Sequence, residues 1–218
     1  MDIIDTNVID KPTLEERDVE FASDVIIVGG GPAAIMASQY LLRAGITTVI
    51  FEPRELARKV THHDLHCLPG LPDVVSGKQI AEQLRGQVKC EVVPTKVLNV
   101  ISEQPKIQAV YTEHHTYYCR AVLIATGLRK RDMGFNNEES FRSRGVYIYL
   151  DAIPNSECVA KLMRLDQYGF IQTGENMMTE TPGIFAAGDI RTKYLRQFIT
   201  AVSDGATAAM AIENYLRE

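Results

Sequence analysis

A three-layer α/β fold with a central parallel sheet and a small antiparallel subsheet is what this sequence of 218 residues predicts. Three observations carry the prediction. Near the N-terminus a β-branched apolar run ends in glycines, a helix-like stretch follows at once, and a second apolar run comes next. That is the opening of a βαβ unit, whose crossover is right-handed in nearly all proteins. Short β-branched segments with polar breaks fill the middle of the chain. Further on, two more buried runs close on small residues or an acid. With 45% of its residues hydrophobic, the chain can bury one sizeable core, or a core plus a small subdomain.

In order, residues 24–29 (DVIIVG) read as a buried strand, and 33–43 (AAIMASQYLLR) as the crossover helix. Gly45 stands where a helix C-terminal glycine belongs, and 47–51 (TTVIF) form the second strand. Residues 54–76 have no clear period, with Pro69-Gly70 and Pro72 marking turns. A helix is expected over 78–86, with Ser76 or Gly77 near its start. Segments 90–93, 96–102, 106–112 and 117–125 predict the antiparallel subsheet, leading back into a main-sheet strand at 121–125. Residues 127–145 are polar and irregular, 146–150 and 184–187 read as strands, and 197–216 as a helix.

Composition narrows the function. A net charge of −5 argues against a nucleic-acid binder, which normally carries a basic face. Residues 1–20 hold seven acids and two bases, so this acidic extension accounts for the whole imbalance, either as a solvated arm or as a partner-docking one. No run approaches the length of a membrane span, and no basic region precedes an apolar N-terminal stretch. The cysteines Cys67, Cys90, Cys119 and Cys158 form no C-x-x-C pair, which favours a reducing, cytoplasmic setting and removes the most obvious redox-active disulfide.

The strongest motif is Gly29-Gly30-Gly31-Pro32-Ala33-Ala34, a G-x-G-x-x-A after a strand and opening a helix. Gly29 permits the tight turn, Gly31 lets a pyrophosphate approach the backbone, and Ala34 keeps the helix close to the strand. The helix N-terminus offers free N–H groups to the phosphates, and Pro32 suits its first turn. Glu52 closes the second strand and supplies the acid expected for a ribose 2′-hydroxyl, which disfavours a 2′-phosphate. The motif marks a Rossmann-type dinucleotide site. Ala125-Thr126-Gly127 and the run Gly183–Asp189 (GIFAAGD) end two further strands, where ligands of open α/β sheets sit.

In that order these motifs resemble the FAD domain of the pyridine nucleotide-disulfide oxidoreductases. Residues 181–206 (TPGIFAAGDIRTKYLRQFITAVSDGA), the I-P-N-S step at 153–156 and the L-P-G step at 68–70 narrow the resemblance to the thioredoxin reductase branch, over about 22–216. It implies FAD as cofactor. It places the dinucleotide on Gly29, Gly31, Pro32, Ala33, Ala34, Glu52 and Pro53, and on Ala125, Thr126 and Gly127. Gly188 and Asp189 would hold the ribityl chain, and Arg196, Gln197 and Phe198 the pyrimidine edge of the flavin. A helix N-terminus at that edge would stabilise reduced flavin by ~0.3–2 kcal/mol. The resemblance also implies a homodimer.

One part of that family pattern has no counterpart. Thioredoxin reductases carry a second Rossmann domain with a C-x-x-C between the two FAD halves. The interval between Gly127 and Val146 is too short for a βαβ unit, which needs ~30 residues or more. Residues 21–218 are therefore expected to be a single FAD-binding domain, with halves 21–127 and 146–218 joined directly and the NAD(P)H domain absent.

Cys67 falls where the family places an asparagine near the flavin, so it is a candidate for thiol chemistry, with His62, His63 and His66 as sources of positive charge and His66 as its catalytic companion. The alternative is an inert thiol. His62 and His66 would share a face if helical, and with Cys67, His114 and His115 invite a metal reading. Pro69-Gly70 argues for a loop instead, and no metal is expected. The basic run Arg129-Lys130-Arg131 is a docking site for an acidic partner such as ferredoxin, or a solvated loop. Two functions follow. One is an oxidoreductase or electron-transfer protein fed by ferredoxin, a thiol protein or a separate reductase. The other is a non-enzymatic flavoprotein whose FAD is structural or sensory.

Overall fold

The computed structural model describes residues 20–62, 64–129 and 152–218. Strands β1 (Phe21–Val28) and β2 (Thr48–Phe51) flank helix α1 (Pro32–Arg43) and pair in parallel. Helix α1 ends as expected at Gly45, with φ of 77°. Its N–H reaches Leu42 O and the Ile46 N–H reaches Leu41 O, which together close a Schellman turn.

The segment 54–76 is not featureless. It holds a 3₁₀ turn (Arg58–His62) and a hairpin of two short strands, β3 (Leu65–His66) and β4 (Val74–Val75). Helix α2 (Gly77–Gln87) follows, with Ser76 at its N-cap making no side-chain capping bond. Next come β5 (Glu91–Val93), β6 (Val97–Gln104), β7 (Ile107–Thr112) and β8 (Thr116–Ile124). One assignment needs correcting. Residues 90–93 do not join the antiparallel subsheet, because β5 pairs in parallel with β2 at the edge of the main sheet. The subsheet is β6-β7-β8, and β8 is long enough to serve both parts. Its first half pairs antiparallel with β7, and its second half lies in parallel against β1 and β11 (Ile184–Ala186). The order is β5-β2-β1-β8-β7-β6, with β11 also on β8.

Beyond β8, β9 (Leu128–Arg129) pairs antiparallel with β10 (Ile153–Pro154). The chain ends in α3 (Phe198–Arg217). Sequence-predicted strand 146–150, the acidic segment 1–19, Lys130, Arg131 and His63 lie outside the described residues.

Alternation along the strands sorts the core into two faces. Val25, Ile27, Leu123 and Phe185 face α1 and α3, while Ile26, Val28, Val122 and Ile124 face the subsheet and the segment around Val159, Met163 and Ile171. These are the three layers. No helix among the described residues is long and apolar enough to cross a membrane.

Candidate functional site

A cavity of about 390 Å³ opens where β1, β2, β8 and β11 all end, at their carboxyl edge. Gly30–Ala33, Glu52, Ala125–Gly127, Gly188, Asp189 and Arg196–Phe198 line it. These come from five separate stretches of sequence, and the parallel pairing of four strands brings them together.

Each glycine of the turn meets a different demand. Gly29 has φ of 109°, and a Cβ there would lie 2.5 Å from Ala125 O, so only glycine lets the ends of β1 and β8 close up. A Cβ on Gly30 would lie 2.5 Å from Leu56 Cδ2 and 2.9 Å from Glu52 Cγ. Gly31 is different. Its φ of −82° and ψ of −176° suit any residue, yet nothing lies within 4 Å of where its Cβ would be. That open cradle faces the cavity at the N-terminus of α1, where backbone N–H groups lack partners within the helix. Pro32 and Ala33 also line it, whereas Ala34 is buried beneath, packed in the helix-side core.

Glu52 ties the turn to β2. Its Oε2 accepts from Gly30 N at 3.0 Å and its Oε1 from Arg54 N at 3.1 Å. Pro53 lies instead in a second cavity of about 610 Å³, with Gly29, Lys96, Leu98 and Asn155, which shares Glu52, Arg54 and Thr126 with the first. The two meet at Glu52 and Thr126, which gives the crevice the elongated form an extended dinucleotide needs.

At the other end Gly188, with φ of 82°, opens a 3₁₀ turn that carries Asp189. Asp189 Oδ1 is buried and has no hydrogen-bond partner. Burial pushes this carboxyl above the ordinary carboxylate range, against the opposing charges of Lys193 and Arg196. A buried acceptor without a donor is costly, and a ligand hydroxyl at the cavity wall would satisfy it. The cradle at Gly31, the carboxylate at Glu52 and the orphaned oxygen at Asp189 fit the three parts of FAD that need them: pyrophosphate, ribose and ribityl chain.

Several supporting contacts are not legible in the motifs. Arg196 stacks on Phe170, 3.9 Å from its ring centroid, and donates to Asp189 O at 3.4 Å and Arg191 O at 3.3 Å. Asp166 fixes the loop bearing Phe170 by accepting from Tyr168 N at 2.8 Å and Phe170 N at 2.9 Å. Gln197 caps α3 through a reciprocal pair with Thr200. Asp204, a buried acid on α3, accepts from Gly188 N at 3.0 Å, Arg191 Nε at 3.0 Å and Lys193 Nζ at 2.9 Å. Lys59, at the cavity edge, has its ammonium pKa lowered by desolvation and by Arg54. Gly205 lets α3 lie against the backbone of Ala33, and a mid-helix glycine is the one signal that would have found it.

Cys67 and His66 are not brought to this cavity. His66 is exposed in β3 and Cys67 is exposed at φ of 59°, while Leu65 of the same hairpin does line it. His62 ends a 3₁₀ turn and His66 lies in a strand, so the shared helical face of the metal reading does not form. His114 and His115 sit edge to face in the turn between β7 and β8. Arg129 pairs with Glu157 at 2.8 Å.

The chain is similar to known proteins over most of its length. The family model described as pyridine nucleotide-disulphide oxidoreductase matches residues 23–152. A thioredoxin reductase from Peptoclostridium acidaminophilum is 30% identical over 201 residues, which cover 91% of this chain and 55% of the relative. The chain thus spans about half the length of such curated relatives. Among solved structures, Lactococcus lactis thioredoxin reductase superposes with a TM-score of 0.79 at 20% identity, covering 89% of this chain and 99% of that one. A ferredoxin-flavin thioredoxin reductase from Clostridium acetobutylicum gives 0.73 at 17%, covering 89% and 97%.

Proposed function

The chain belongs to the pyridine nucleotide-disulphide oxidoreductase family, which binds FAD, and on that premise we propose a thioredoxin reductase-like flavoprotein without a nicotinamide domain, fed by a donor other than bound NAD(P)H. The observation that carries this reading is the pairing of β9 with β10. The chain passes Arg129 and returns at Ile153 on the neighbouring strand, with only residues 130–152 between. That interval is shorter than the ~30 residues of one βαβ unit.

In this reading Gly31, Pro32 and Ala33 receive the pyrophosphate at the α1 N-terminus, and Glu52 accepts a ribose hydroxyl. Gly29 and Ala34 set the turn and its distance from the sheet, Ala125, Thr126 and Gly127 form the floor, and Pro53 borders the adenosine end. Gly188 and Asp189 hold the ribityl chain, while Arg196, Gln197 and Phe198 hold the pyrimidine edge. Bound FAD supplies one- and two-electron redox chemistry. The residues around it would orient it.

The donor class is an iron–sulfur protein such as ferredoxin, a thiol protein or a separate reductase. One structural neighbour is named a ferredoxin-flavin thioredoxin reductase, and Arg129, exposed beside the crevice and shared with Glu157, lies where an acidic partner could dock. We assign the protein a cytoplasmic setting and a homodimeric state. The exposed position of Cys67, off the cavity, favours electron transfer over a thiol relay through that residue. It equally accommodates a second reading in which FAD is structural or sensory.

An anaerobic visible spectrum tests the proposal. Flavin bands that dithionite bleaches and neither NADH nor NADPH does are the expected result. Rapid bleaching by either nucleotide would overturn the missing-domain reading, and a protein that takes up no FAD would overturn the whole.

A further inference from the structure

Two carboxylates compete for one buried ammonium beneath the flavin end of the crevice. Lys193 Nζ lies 2.9 Å from Asp204 Oδ2 and 3.9 Å from Asp189 Oδ1, and its side chain is only 7% exposed. Asp204 also holds Gly188 N and Arg191 Nε, so its position is fixed from three sides. Arg191 is in turn anchored on Thr173 Oγ1 at 2.8 Å. Asp189 Oδ1 meanwhile has no hydrogen bond at all.

We propose that Asp204 is a positioning residue for the cofactor: its carboxylate holds Lys193 and so leaves Asp189 Oδ1 free to accept a hydroxyl from the polyol chain of FAD. This rests on the reading of the cavity as an FAD site. The reasoning is one of unequal competitors. An ammonium meets a carboxylate with a full opposite charge where a hydroxyl brings only a dipole, so a lysine released from Asp204 would compete with the ligand hydroxyl for Asp189 Oδ1. It has only about 1 Å to travel to reach hydrogen-bond range. Arg191 and Lys193 both hydrogen-bond Asp204, while Arg196 and Lys59 act on the Asp189 carboxylate only as nearby charges. The arrangement, with both cations on Asp204, leaves the second carboxylate for the ligand.

A double-mutant cycle on FAD binding tests this. Apo-protein is titrated with FAD, and flavin fluorescence quenching is read for wild type, Asp204→Asn, Lys193→Met and the double variant. Asp204→Asn keeps an amide oxygen for Gly188 N–H and loses the charge. Its dissociation constant is expected to rise about tenfold, as for one charge-assisted hydrogen bond. Lys193→Met alone is expected to stay within about threefold of wild type, and the double variant to return to that same range. A double variant as weak as Asp204→Asn would overturn the proposal, since Asp204 would then act through the backbone turn alone. Unchanged binding in Asp204→Asn, or a tenfold loss in Lys193→Met, would overturn it as well. Circular dichroism and apo-protein melting check the fold. If Asp204→Asn does not fold, Asp204→Ser takes its place, and the Lys193→Met titration stands regardless. Wild type that binds no FAD would refute the cofactor reading beneath the proposal, a result distinct from any difference among the variants.

Discussion

Replacing Gly205 with alanine sets two effects of known size against each other. In an isolated helix the change adds ~1 kcal/mol of stability, because alanine has the higher propensity. Here the new Cβ would fall on the carbonyl oxygen of Ala33, 2.9 Å from the Ala33 carbonyl carbon and 3.0 Å from its Cα. Carbon atoms rest at ~3.5–4.0 Å, so α3 must retreat from α1 by at least about 0.5 Å. The obstacle is backbone, which has no rotamer to escape into. Overpacking of this kind costs ~1–3 kcal/mol or more. The net expectation is a loss of up to about 2 kcal/mol, which lowers the melting temperature by up to about 8 °C for a chain of this length. Because α1 carries Gly31–Ala33 at its start and α3 carries Phe198 and Ala201, the same retreat widens the cavity and weakens FAD binding. The matching control is Gly86→Ala in α2, where nothing lies within 4 Å and propensity acts alone. Differential scanning calorimetry on both variants decides the matter. If Gly205→Ala melts as high as Gly86→Ala, the close approach of α1 and α3 does not constrain the fold and the reasoning fails.

Three further outcomes are expected. Gly31→Ala should leave the apo-protein's melting temperature within about 1 °C of wild type, since its backbone angles suit any residue, while FAD affinity falls at least about tenfold by titration. Asp189→Asn should raise the melting temperature of the apo-protein at neutral pH. Burial lifts this carboxyl's pKa in the folded state, so its contribution to stability falls as pH rises through that raised value. The gap between variant and wild type should therefore close as pH drops below the ordinary value of 3.8, and no change in melting at pH 7 would count against the assignment. Ellman's reagent at pH 8 should label Cys67 quickly and leave Cys119 and Cys158 until the protein unfolds. Burial pushes the Cys158 thiol up to about 11, and Cys119 higher still, so roughly one Cys158 in a thousand is thiolate at that pH. Fast labelling of all four would refute that burial.

The sequence was most informative where local chemistry and global position coincide. β1, α1 and β2 are legible because an apolar run, a glycine turn and a capped helix each have their own signature, and the cavity-lining residues of that unit follow from it. Residues 90–93 were misassigned for a physical reason. Two adjacent valines, Val92 and Val93, show that a strand exists, but its partner depends on hydrogen bonds to β2, forty residues earlier in the chain. The hairpin of β3 and β4 is two residues per strand, too short to display any period. Asp204 was invisible because one acid in an alanine-rich helix looks like a solvent-facing residue. Only the packed structure shows that it meets Gly188, Arg191 and Lys193. Phe170 and Asp166 act on Arg196 across some thirty residues, a relation no local pattern encodes.

The pairing of β9 with β10 also describes a port. The two ends of the chain that meet there are neighbours in a ladder, ~4.8 Å apart. Whatever is hung between them must only have its own ends close together, a condition most independent domains meet. Loop-closure entropy adds only ~0.6 kcal/mol for each doubling of length, so a long insert loads the scaffold scarcely more than a short one. The fold can therefore gain or shed a whole module at this point while the sheet, the glycine turn and α3 stay as they are. A chimera carrying a foreign domain between Arg129 and Ile153 should melt as two units, one of them at the temperature of the parent.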